Sequence, residues 1–235
     1  IKNPGGGLAP TGGYLAGRQD LIDRAANRLT TPGIGGECGA SLGNNRLLFQ
    51  GLFMAPHTVA QALKTSVFCA ALFTDLGFET YPTPYEQRDD IVQMVKLRSP
   101  ENLKKFCRGI QAGSPVDSFV TPEPWQMPGY DCDVIMAAGA FTQGSSIELS
   151  CDGPIRPPYI AYQQGGLTYE YGKLGVARAI EELQKSAKTT GYTYSITTSM
   201  SNNPLVISPT TDYKRRESEW IDGELYLYGE VILTG

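Results

Sequence analysis

The sequence lacks an excess of charge of either sign. Lys and Arg number 20 against 24 Asp and Glu, a net charge of -4, which argues against a basic nucleic-acid footprint. No apolar run reaches the length of a membrane span. The chain opens without the charged segment and apolar core of a secretory signal. Its five cysteines, at positions 38, 69, 107, 132 and 151, are odd in number, and no two have C-x-x-C spacing. That argues against a disulfide frame and against a zinc site. Reduced thiols in a cytoplasmic protein are the expectation. No internal repeat is evident.

Glycine and proline are plentiful, at 27 and 16 residues, and hydrophobic residues make up 41% of the chain. Many tight loops around a packed core are therefore expected. The first seventeen residues concentrate this character. A lysine, Lys2, precedes Gly5-Gly6-Gly7. Three glycines let a backbone take positive φ and approach a ligand or another backbone with no Cβ in the way. An amine beside such a loop can meet a bound phosphate or carbonyl. By itself the signal is that of many solvated surface lysines.

Periodicity places the elements. Gly13–Ala16 reads as a short strand, and Asp20–Leu29 as a helix with Leu21, Ile22, Ala25, Ala26 and Leu29 on one stripe. Leu47–Leu52 reads as one or two turns. A long helix is expected from Pro56, which suits a first turn, to Leu76, with Gly77 closing it. A strand over Asp90–Leu97 and a helix from Ser99-Pro100 to about Gln111 form a strand–helix unit. Val116–Trp125 reads as extended. Asp133–Ala138 and Ser146–Ser150 read as strands around a turn near Thr142-Gln143-Gly144. Asp152-Gly153 reads as a turn and Pro154–Pro158 as a stiff loop. A strand over Tyr159–Tyr162 and a helix over Thr168–Gln184 follow. Beyond Lys188 the chain changes character. Alternation in Tyr192–Thr197, Leu205–Ile207 and Leu225–Leu233 says strands, with Asp212–Glu219 a charged connector.

Several separated runs together resemble one family. They are Lys2-Asn3-Pro4-Gly5-Gly6-Gly7 with Thr11-Gly12-Gly13-Tyr14, Glu37-Cys38-Gly39-Ala40-Ser41, and Asn44-Asn45-Arg46. With them go Gly51–His57, Pro115–Ser118, Thr121–Trp125, Gly139–Phe141, Gly144–Glu148 and Arg156–Tyr159. The chain over residues 1–186 resembles the methionine gamma-lyase-like "aluminium resistance" proteins, relatives of the cystathionine lyases. The resemblance implies an α/β fold, the C-terminal part of a pyridoxal-phosphate (PLP) dependent transferase chain of fold type I. Residues 1–54 would end the large PLP-binding domain, 55–80 form a linking helix, 81–187 a small α/β domain, and 188–235 a β-rich tail of no recognised family. The chain begins with Ile inside the motif, so it reads as a C-terminal portion.

The resemblance also implies chemistry. Lys2 is the residue expected to carry PLP and to move protons on a sulfur amino acid, in carbon–sulfur cleavage by β- or γ-elimination. Arg156 is the candidate for the substrate carboxylate, which suits a planar guanidinium. The other reading is that Arg156 packs its stem on Tyr159 or pairs with Asp152. Arg46 and Arg98 are its rivals. Tyr14 is a further substrate-binding candidate; for it and for Glu37, Ser41 and Asn45 the readings are a structural role, or a place lining the site or a subunit contact. His57, the single histidine, reads as a backbone partner at a helix start. Cys38 reads as inert. The expected partners are an amino-acid substrate and further copies of the chain in a homodimer or homotetramer. The aspartate, aromatic ring and phosphate loop that complete a PLP site would lie before the lysine. The chain alone is thus expected not to hold PLP tightly. A second reading makes the protein a non-catalytic assembly module whose β-rich tail mediates contacts.

Overall fold

The structure, a computed structural model, describes residues 1–37, 41–140 and 147–185, and the backbone of two strands at 217–221 and 224–228. Four helices and eight strands are described: α1 Gln19–Leu29, α2 Asn45–Asp75, β1 Glu79–Tyr81, β2 Gln93–Lys96, α3 Pro100–Ala112, β3 Trp125–Gln126, β4 Asp133–Ala138, β5 Ser150–Pro154, β6 Ile160–Gln164, α4 Tyr169–Gln184, β7 Glu217–Ile221 and β8 Glu224–Tyr228. The expected mixed α/β character is present. Strands β1 to β6 form one sheet in the order β1-β2-β6-β5-β4-β3, every pair antiparallel. β7 and β8 form a separate antiparallel pair.

One sheet face is covered by helices. Phe73 of α2, Leu103, Phe106 and Ile110 of α3, and Val176 and Ala179 of α4 meet Val95, Ile135, Ala137, Cys151 and Ala161 of the strands. Phe73 stands edge-on to both Phe78 and Phe106, at 5.4 and 5.0 Å. Helices α3 and α4 cross closely because glycine lines their contact. A Cβ on Gly109 would come 2.3 Å from Ala179 Cα, and one on Gly113 would come 2.4 Å from Gly175 Cα. Ser99 and Thr168 cap α3 and α4 by accepting the amides of Asn102 and Tyr171.

The connection from α3 to β4 is locked by one buried glutamine. Gln111 Nε2 donates to the carbonyls of Asp117 and Ala138, and its Oε1 accepts the amide of Ala138 at 2.8 Å. A polar side chain that is 2% exposed thus stays satisfied.

Several expectations need correction. The linking helix does not start at Pro56. It starts at Asn45 and runs unbroken to Asp75 with Pro56 inside. The proline leaves the Leu52 carbonyl without its helical donor, a loss softened because Leu52 is 51% exposed to water. Gly13–Ala16 is not a strand. No described strand pairs with it, and the amino terminus donates to the Gly12 carbonyl at 2.7 Å instead. Asp152-Gly153 is no turn but the middle of β5, which pairs on both sides. Glycine is there because a Cβ would meet Leu103 Cδ1 and the Ile160 carbonyl at 2.7 Å. The strand expected to end at Ser150 starts there.

The strand after the Pro154–Pro158 loop spans Ile160–Gln164 rather than Tyr159–Tyr162, because Tyr159 takes φ 59°. Val116–Trp125 forms no regular element before β3. In the tail, the supposed connector contributes Glu217–Glu219 to β7. The runs at 192–197 and 205–207 and the turn at 142–144 lie outside the described residues.

Candidate active site

The lysine loop is held by its own backbone. Gly5, Gly6 and Gly7 donate their amides to the carbonyls of Ile1, Asn3 and Lys2 at 2.9, 2.9 and 3.0 Å. Gly6 and Gly7 take φ of 66° and 80°, which favours glycine. The loop is seated on α2. A Cβ on Gly5 would lie 2.8 Å from Gly51 Cα, so two backbones touch with no side chain between them. Gly51 in turn faces Ala9, which is fully buried. Gly6 lies against Thr58 of α2 and Leu167, the residue before the cap of α4. Lys2, at the start of this loop, is half-buried.

The opposite side of the seat is also glycine-built. Gly166 and Leu167 donate to the Glu148 carbonyl at 2.9 and 2.8 Å. Thr65 Oγ1 sits where a Cβ of Gly172 would be, at 2.0 Å, and 2.5 Å from one on Gly166. The N-terminus of α4 is thereby pinned to α2, and Leu167 is fixed under the lysine loop. Gly51, Thr58 and Leu167 touch the loop; of these only Gly51 figured in the sequence, as the start of the run Gly51–His57. The spacing of the first glycines to Gly51 carried no local signal of contact.

The remaining candidates are spread out. Tyr14 is 78% exposed, and Glu37, Ser41, Asn45, Arg46 and His57 are exposed as well. Cys38 lies outside the described residues. Arg156 is in the turn between β5 and β6 and donates to both carboxylate oxygens of Asp131, at 2.9 and 3.0 Å. That turn precedes β6 and Leu167 follows it, so the whole strand separates Arg156 from the lysine loop, about 17 Å at ~3.3 Å per residue. Arg98, at φ 67°, donates to the Gly77 carbonyl just past the end of α2 and stands over the Phe78 ring.

Burial perturbs titration at several places in the core and sheet. Burial pushes the Cys69 thiol up to about 12, against a smaller opposing effect of the Arg88 guanidinium. Burial, then the hydrogen bond with Cys107 at 3.6 Å, pushes the Cys151 thiol well above its ordinary range. Desolvation also raises the Asp152 carboxyl. Among the described residues no helix is long and apolar enough to cross a membrane.

The chain is similar to several known proteins. The uncharacterized protein YnbB of Bacillus subtilis (strain 168) is 52% identical over 185 residues, which are 79% of this chain and 44% of YnbB. A 33.9 kDa protein encoded in the glnA 5' region of Lactobacillus delbrueckii subsp. bulgaricus is 49% identical over 183 residues, 78% of this chain and 60% of that one. A solved structure from Clostridium novyi NT, named a carbon-sulfur lyase involved in aluminum resistance, superposes with a TM-score of 0.72 at 55% identity, covering 77% of this chain and 42% of that one. The chain therefore spans less than half the length of YnbB and of the solved lyase. The sequence pattern of the methionine gamma-lyase family matches residues 1–184, and the chain belongs to that family.

Proposed function

We propose that the protein supplies the lysine-bearing part of a PLP-dependent carbon–sulfur lyase acting on a sulfur amino acid, with a keto acid, ammonia and a thiol as products. The observation that carries this is the seating of the Lys2 loop. Lys2, a half-buried residue, heads a glycine loop that is braced through Gly5 against Gly51 of α2 and through Gly6 against Leu167 before α4. The name of the Clostridium novyi relative supports the reaction class.

The donor set fits the cofactor in one respect. PLP is an aldehyde, and Lys2 offers an amine on a loop whose shape is fixed by three backbone hydrogen bonds. When bound, PLP supplies a ring that withdraws electrons from the substrate Cα. Lys2 Nζ would hold the cofactor and, once displaced by the substrate amine, take the Cα proton and return a proton to the departing side. The flexible four-carbon stem starts from a braced backbone, which fixes the centre of that nitrogen's reach. By the family resemblance, the groups that bind the pyridine nitrogen and the phosphate would lie before the lysine. Tyr14 would serve as a substrate contact. Arg156 would serve as a carboxylate anchor where a neighbouring copy of the chain brings it to the lysine. A homodimer or homotetramer is accordingly proposed.

The test is release of thiol and keto acid from cystathionine or methionine by the assembled protein supplied with PLP. Turnover lost in Lys2→Ala with the fold retained supports the reading. Turnover undiminished in that variant overturns it.

A further inference from the structure

Two buried glutamines stand side by side on β2 and β6, and only one of them is satisfied. Gln93 and Gln163 are cross-strand partners, so their Cβ atoms lie about 5 Å apart on one face of the sheet. It is the face of Val95 and Ala161, which the helices cover, and both glutamines are 0% exposed. Gln93 has no capacity to spare. Its Nε2 donates to the carbonyls of Pro82 and Met94, each at 3.0 Å, and its Oε1 accepts Arg88 Nη2 at 2.6 Å. Gln163 has a protein partner for neither amide atom, although both are buried.

Arg88, bonded to Gln93, is in the same condition. Its Nη2 also donates to the Pro82 carbonyl at 3.5 Å, but its Nε and Nη1 are buried without a protein partner. It makes no ion pair among the described residues. Glu86 and Asp90 act on it only through space, and their carboxylates accept the amides of Thr83 and Val92 instead. Burial keeps the nearby Cys69 thiol uncharged. Desolvation is the largest influence on the guanidinium and pulls its pKa down, as expected for a cation lacking a contact partner.

A buried guanidinium edge and a buried amide are costly when unpaired, so native folds fill such positions. The chemistry of the filler follows from the groups. Arg88 Nε, Arg88 Nη1 and one end of the Gln163 amide donate, the other end of that amide accepts, and one positive charge is to be met. We infer that Arg88 and Gln163 bind a small oxyanion carrying acceptor oxygens and one O–H, of the hydrogencarbonate class. Its oxygens accept from Arg88 and from the amide nitrogen, and its hydroxyl donates to the amide oxygen. Water would satisfy the hydrogen bonds and leave the charge. A halide would meet the charge and donate nothing. The inference does not rest on the lyase reading, and its readout is binding rather than turnover.

The assembled protein is unfolded thermally at pH 8 in sodium hydrogencarbonate, formate, chloride and gluconate of matched ionic strength. Binding of isotopically labelled hydrogencarbonate is followed by NMR in parallel. The expected result is a midpoint that climbs with hydrogencarbonate and saturates. Formate, which lacks the O–H, and chloride act about tenfold more weakly or less, the value of one hydrogen bond to a charged group. Gluconate, too large for the site, leaves the midpoint unchanged. Gln163→Leu weakens the hydrogencarbonate response by about tenfold or more, and so does Arg88→Lys, which keeps the charge and removes the Nε donor. Two results overturn the inference. One is a parent midpoint that is the same in hydrogencarbonate as in gluconate, which assigns the row to water alone. The other is a Gln163→Leu protein that binds hydrogencarbonate with the parent's affinity, which makes the bound species an adventitious ion only.

Discussion

Gly5 and Gly51 touch backbone to backbone, with the Gly51 Cα 2.8 Å and its carbonyl oxygen 3.0 Å from where a Gly5 Cβ would stand. Forty-six positions apart in sequence, they set where the lysine loop rests on α2. Gly5→Ala must push the loop away or bend the helix. Overpacking of this kind costs about 1–3 kcal/mol. Denaturant unfolding of the variant is expected to show a lower midpoint with an unchanged slope. A midpoint equal to the parent's would show that the loop is not seated there.

The α3–α4 crossing depends on glycine in the same way. Gly109→Ala places a Cβ 2.3 Å from Ala179 Cα and 2.5 Å from the Arg178 carbonyl, both backbone atoms that cannot rotate aside. The variant is expected to lose about 3 kcal/mol or more, the upper range for overpacking. Gly129→Ala, whose Cβ meets nothing within 4 Å although its φ is 88°, is expected to lose only about 1 kcal/mol, from backbone strain. Thermal unfolding of the two variants separates steric from conformational cost.

Sequence alone carried the helix periods, the Ser99 cap and the β4 strand, because each is a local pattern. Ser99-Pro100 announces a helix start within three residues of its hydrogen-bond partner, whereas the Thr168 cap was not read from the sequence. What stayed illegible depends on distant partners. Pro56 looks like a helix start, and only the burial of Gly51 and Thr58 on either side shows why the helix continues through it. Asp152-Gly153 has turn chemistry, yet its glycine serves to let Leu103 approach. The loop that Lys2 heads was legible as a glycine-rich motif, whereas its seat on Gly51 and Leu167 required the fold.

Thiol chemistry tests the core directly. Cys69, Cys107 and Cys151 are at most 1% exposed, whereas Cys132 is partly accessible. With the Cys69 thiol near 12 and that of Cys151 also raised, almost no thiolate is present on either at pH 8. In a Cys38→Ser background, a water-soluble disulfide reagent is expected to label Cys132 in the native protein. The other three are expected to react after denaturation. Prompt native labelling of Cys107 or Cys151, mapped by peptide mass, would contradict the packing of α3 on β5.

Asp152 gives a pH dependence with a definite sign. Desolvation raises its folded pKa above the unfolded value near 3.9. The folded state therefore binds the proton more readily, and the charged carboxyl opposes folding at neutral pH. That penalty is relieved as pH falls through the folded pKa and is gone below the unfolded one. Asp152→Asn is expected to raise the unfolding temperature at pH 7 and to lose this advantage toward pH 4. An advantage that grows on acidification would reverse the assignment.

The central claim is that the nitrogen of Lys2 receives the cofactor. The assembled protein is incubated with pyridoxal 5'-phosphate and reduced with borohydride, and the modified peptide is then sequenced by mass spectrometry. The account predicts a single stoichiometric pyridoxyl group on Lys2, absent from Gly5→Ala where the loop is displaced. A pyridoxyl group distributed over surface lysines, with Lys2 unmodified, would contradict it.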